Sequence, residues 1–224
     1  MGERELGLVC WIGRAGVVED AQVALRHPSG PDGAQAGLDR ARKAGLLRRV
    51  DHPFSPHPPL HLATTAGLRA CGLGRLGPAQ ARAPGLAHAL GCVWLGLELE
   101  AEQGAAAVRY ERELRVGPPA WARVGASAPG ASAPGAGAAE SHRPDLTLEV
   151  GARRFAVELE LSRKAPARLD AILAAYATSP GLDGVRYYAP DAGVGRLVAA
   201  AARRAGADGL VEVVTWAPPT RRPG

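Results

Sequence analysis

The chain has 224 residues, 46% hydrophobic and 22% charged, which excludes a disordered polymer and suffices for one large core or two small ones. The formal net charge is +5 and the pI near 9.6, a balance that favours acidic partners such as nucleic acid. No apolar stretch is long enough to span a bilayer, and M-G-E-R-E opens the chain without a signal peptide's apolar core, so the sequence reads as cytoplasmic with no membrane partner.

In chain order, Leu6, Val9, Cys10 and Gly13 recur at helical spacing and predict a first helix. A second is expected over 18–26, stopped by His27-Pro28, because proline forbids continuation. A third is expected over 34–44, with Leu38 and Ala41 on its apolar edge, Asp39 as its one acid, and Gly45 as its stop. L-L-R-R-V and L-H-L-A then read as two short strands, and Thr64 or Thr65 caps a closing helix over 66–71. Cys10, Cys71 and Cys92 are odd in number and far apart, and read as reduced thiols. His52, His57 and His61 fall in and beside a proline-rich loop and lack the fixed quartet of a zinc site. G-L-G-R-L-G at 72–77 follows no strand and reads as a linker rather than a phosphate loop.

Three helices followed by a two-stranded ribbon is the winged-helix plan. The run A-G-L-L-R-R-V…L-H-L-A-T-T-A-G-L-R-A-C-G resembles the end of the recognition helix, the wing and the following helix of bacterial winged-helix proteins. The resemblance implies a DNA-binding domain over 1–80. Its third helix would enter the major groove of double-stranded DNA, and Arg40, Arg42, Lys43, Arg48 and Arg49 would supply positive charge.

A second domain is expected over 86–217. Leu86, Leu90, Val93, Trp94 and Leu97 form a helical stripe that opens it. A-V-R-Y-E-R-E-L-R-V alternates with period two and reads as a strand, with Glu111 and Glu113 on one face. The tandem A-S-A-P-G-A-S-A-P-G cannot build a core, so 125–142 is expected to be a flexible loop inside this domain, with its repeat region 126–137 dispensable. Strands follow at 146–150 and 155–161, a helix at 166–177, a strand at V-R-Y-Y-A, a helix at 194–205 and a strand at 210–216. The fold class is therefore α/β, or α+β overall.

Within that order lies R-P-D-L-T-L-E-V-G-A-R-R-F-A-V-E-L-E-L-S-R-K, which resembles the PD-(D/E)XK nuclease superfamily with its αβββαβ core. The resemblance implies that Asp145 and Glu158 hold Mg²⁺ from neighbouring strands. Phosphodiester cleavage needs a hard cation held by oxygens near the scissile phosphate. Glu158 and Glu160 lie two apart and share a strand face. Position 160 is Glu where the superfamily carries Lys, and Lys164 lies further on. The catalytic set is thus Asp145, Glu158, Glu160 and Lys164. Three readings stay open: a metal-dependent DNA endonuclease, a DNA-binding regulator or replication accessory that keeps the nuclease fold as a scaffold, and a module that binds partner proteins.

Taken whole, L-A-T-T-A-G-L, H-R-P-D-L and V-E-L-E-L-S-R-K-A-P-A-R-L-D-A-I-L-A-A-Y resemble the replication-relaxation family of actinobacterial plasmids and integrative elements. That resemblance implies a DNA-binding protein of plasmid replication or mobilisation, with replication or mobilisation proteins as partners.

Overall fold

Proline and glycine punctuate the first hundred residues much as the sequence predicts. The structure, a computed structural model, describes residues 2–53, 57–124 and 142–219. The chain divides into two units, Met1–Ala101 and Glu102–Gly224.

In the first unit, helix α1 (Glu3–Ala15) buries Leu8, Val9, Trp11 and Ile12. A two-residue strand β1 (Val18–Glu19) precedes α2 (Asp20–Arg26), which stops at His27 ahead of Pro28. Helix α3 (Gly30–Lys43) starts four residues earlier than the spacing predicts. Pro31 sits in its first turn, where the missing N–H costs nothing. Its true span adds a second acid, Asp32, so Asp39 is not the only one. The ribbon β2 (Leu47–Val50) and β3 (Leu60–Ala63) is antiparallel, and β1 pairs with β3 to give the order β1-β3-β2. Thr64 caps α4 (Thr65–Ala70) by accepting from the Gly67 amide. Gly67 is held by a close approach: a Cβ there would lie 2.2 Å from the Leu46 carbonyl oxygen.

Two expectations need correcting in this unit. Cys10 and Cys71 are not separate thiols. They form a disulfide between α1 and the end of α4, with Cα atoms 5.3 Å apart, and Cys92 takes no part in it. Helix α5 (Leu86–Gln103) does not open the second domain. Its Val93 and Leu97 pack in the core with Trp11, Ile12 and Leu38, and its Leu86 and Leu90 pack with Val17, Leu60 and Leu62. The Leu90 carbonyl also accepts from the Gln22 amide group at 2.9 Å. The boundary therefore falls after Ala101 rather than near residue 80.

The second unit is a five-stranded sheet in the order β4-β5-β6-β7-β8. Strand β5 (Leu146–Val150) runs antiparallel to both of its neighbours, β4 (Val108–Tyr110) and β6 (Arg153–Leu159). Strands β7 (Gly184–Ala189) and β8 (Val211–Thr215) continue parallel to β6, as their helical crossovers require. Between them come α7 (Pro166–Ala177) and α8 (Ala192–Arg204). Leu169, Leu173, Tyr176, Val198 and Ala201 of these helices pack with Ala156, Val185 and Tyr187 of the sheet. Each large side chain so buried contributes about 1.5–3 kcal/mol.

The alternating run after residue 106 is a strand for only three residues. It then turns into α6 (Glu111–Val116). The Glu113 carboxylate accepts from the Tyr110 amide at 3.0 Å, and Glu111 pairs with Arg115 one turn on, so neither acid lies on a strand. Residues 125–141, the repeat segment included, lie outside the described residues. Their flanks, Val124 and His142, form an antiparallel bridge, and β4 pairs with β5 across the segment. Both flanks thus belong to the second unit.

Candidate metal centre and nucleic-acid surface

Strand register gathers the acids. Leu146 pairs with Val157, which sets Asp145, at the start of β5, beside Glu158 on β6. The Asp145 carboxylate accepts from the Leu159 amide at 2.9 Å, which fixes it against that strand. Glu158 pairs in turn with Tyr187 on β7, so Asp145, Glu158 and Tyr187 form one row across three strands. Glu160 follows two residues after Glu158, and its amide donates to the Tyr188 carbonyl at 2.9 Å.

Glu158 and Glu160 are 1% and 3% exposed. Burying carboxylates is costly unless they are paired or hydrogen-bonded. Glu158 meets that cost with two partners on one oxygen. His142 Nε2 lies 2.6 Å from its Oε1, and the Tyr176 hydroxyl donates to the same atom. Burial pushes the Glu158 carboxyl above the usual range, and the Asp145 charge pushes it the same way. Burial and the charge of Glu158 likewise push the Tyr176 hydroxyl well up, so it stays protonated and donates. Glu160 is met by Lys164, whose Nζ lies 2.7 Å from its Oε2. That contact is an ion pair rather than an aligned hydrogen bond, since Oε2 has no hydrogen-bond partner among the described residues. The residues singled out from sequence thus fall into two neighbouring pairs, Asp145 beside Glu158 and Lys164 on Glu160.

Sequence reasoning missed His142, Tyr176, Tyr187 and Thr147. A histidine three residues before Asp145 was a readable signal, whereas the others depend on tertiary register. Thr147 and Tyr187 are fully buried on the face that carries Glu158, and neither hydroxyl has a hydrogen-bond partner among the described residues. The donor set is hard: carboxylates from adjacent strands, with buried hydroxyls beside them. Hard oxygen donors of this kind are the ones a divalent cation of the Mg²⁺ type takes.

The basic residues of the first unit are divided among different tasks. Arg40 leans on Glu5 of α1, with Nη2 2.7 Å from the carboxylate. Arg42 pairs with Asp39. Arg48 donates to the Ala79 carbonyl at 2.9 Å. Lys43 and Arg49 are exposed and carry no ion pair among the described residues. Asp20 contacts buried His61 at 2.6 Å, and that hydrogen bond, with the charges of Arg49 and Arg42 behind it, holds Asp20 below the usual carboxylate range. The three histidines do not assemble: His52 and His57 stack on each other while His61 serves Asp20.

No protein-family model matches the chain, and no curated protein or solved structure is significantly similar to it.

Proposed function

We propose that the chain is a cytoplasmic DNA-binding protein, with a winged-helix reader in its first unit and a nuclease-type acidic centre in its second. The setting is plasmid or mobile-element replication or mobilisation, as the sequence resemblance to the replication-relaxation family implies. Among the described residues no helix is long and apolar enough to cross a membrane. The observation that carries the reading is the row of Asp145 and Glu158 on adjacent strands, with Lys164 returned to Glu160. Acids are buried at such expense where a site uses them.

In this reading Asp145 and Glu158 would hold Mg²⁺, whose charge would bind a phosphate oxygen of the DNA. The chain's own residues do the rest. Tyr176 and His142 orient the Glu158 carboxylate, and the Leu159 amide orients Asp145. A second reading, hydrolysis of the phosphodiester, is favoured specifically by Lys164, whose ammonium supplies the positive charge that Glu160 displaces from the motif.

Duplex binding by the full chain tests the DNA-binding half of the proposal. Affinity should fall steeply with salt, and Lys43→Ala with Arg49→Ala should flatten the log–log slope by about 2, one phosphate contact each. Fluorescence anisotropy at several salt concentrations measures this. An unchanged slope in the double variant, or no binding at low salt, would refute the winged-helix reading.

A further inference from the structure

We propose that Tyr187 is a positioning residue of the acidic centre, its buried hydroxyl donating into the water shell of a divalent cation held by Asp145 and Glu158. The inference rests on the nuclease-type reading and deepens it.

Two tyrosines bound the centre and differ in one respect. Tyr176 is fully buried and spends its hydroxyl on Glu158. Tyr187 is equally buried, sits directly opposite Glu158 in the β6–β7 register, and its hydroxyl has no hydrogen-bond partner among the described residues. Buried hydroxyls are normally satisfied, so one left without a partner beside carboxylates points to a group that completes it. The nearby acids make the identity of that group specific. An ordinary phenol is protonated at neutral pH, so this hydroxyl has a proton to donate. A donor among carboxylates suits a water oxygen bound to a cation, because the phenol accepts the role of orienting that water while the carboxylates face the metal. Thr147 adds a second unpaired hydroxyl on the same face, one row away.

The test uses the full chain and Mn²⁺ as the probe, with affinity read by isothermal titration. Tyr187→Phe removes one oxygen and nothing else. It should weaken Mn²⁺ binding about 10-fold, the loss typical of a group in the outer shell of a metal. The metal-free variant should melt no lower than the parent, because the deleted hydroxyl had no protein partner to lose. Equal Mn²⁺ affinity in parent and variant would overturn the inference while leaving the acidic centre intact. No Mn²⁺ binding by the parent would instead overturn the nuclease-type reading, and this inference with it. Should Tyr187→Phe fail to fold, the parent decides by near-ultraviolet difference spectroscopy. Saturating Mn²⁺ should perturb tyrosine absorbance, and a flat difference spectrum would overturn the proposal.

Discussion

In the first unit Arg40 leans on Glu5 and Arg42 on Asp39 at the surface, with both partners of each pair in contact with solvent. In the second, Glu158 and Glu160 lie within the layer between sheet and helices, each with a dedicated partner. Surface pairs exchange water for a partner at little net gain. Buried carboxylates lose their water outright and are held only by what surrounds them. The contrast separates charges that decorate a fold from charges that the fold is arranged to keep. It also explains why a basic helix face is a weaker pointer to function than an interior row of acids.

The largest expected effect lies in the second unit. Tyr176→Phe deletes one of the two donors to Glu158 and should destabilise the protein by on the order of 2 kcal/mol, the value of a buried hydrogen bond to an acid. Urea denaturation of the full chain measures it. A loss no larger than that of a surface pair would erase the contrast between the units. The smaller effect lies in the first. Asp20→Asn keeps an acceptor for His61 and removes only the charge, so it should cost less than about 1 kcal/mol near neutral pH. Because Asp20 ionises below its unfolded value of about 3.9, its charge stabilises fully above that value and ceases to do so as pH falls through the folded one. Parent and Asp20→Asn should therefore differ at about pH 6, and the gap should shrink steadily as pH is lowered below about 3.9 in thermal melts. A gap that persists in acid would mean the pair acts through packing rather than charge.

Much of the secondary structure could be read from residue pattern alone, and the exceptions have physical causes. Helix α7 coincides with the predicted 166–177 because Pro166 fixes its start and Leu169, Ile172, Leu173 and Tyr176 fix its inner face. Strand β1 escaped notice because two residues carry no period, and its existence depends on β3. The run through Glu111 and Glu113 satisfied both a strand and a short helix. The Glu113 contact to the Tyr110 amide decided for the helix. Helix α5 has buried residues on nearly every side, from Leu86 to Glu100, so periodicity alone did not say which core it joins. The Cys10–Cys71 bond is a tertiary fact across a sequence separation of 61 and leaves no trace in spacing. At the centre, Asp145, Glu158, Glu160 and Lys164 were visible as a motif, since each lies within one strand–turn–strand–loop run. Tyr187 was not, because in V-R-Y-Y-A alternation alone does not tell which tyrosine faces the acids; the pairing of β7 with β6 does.

In the proposed centre Asp145 and Glu158 together hold a divalent cation. Its most direct measurement is thermal unfolding of the full chain with and without millimolar Mg²⁺ or Mn²⁺, for the parent and for Asp145→Asn. Asparagine keeps a carbonyl acceptor for the Leu159 amide, so the variant tests the ligand charge rather than the strand contact. The parent should be stabilised by mass action, by about 2.7 kcal/mol when the metal stands at 100 times its dissociation constant, and the variant should show no metal-dependent shift. An unshifted parent, or an equal shift in Asp145→Asn, would contradict the account.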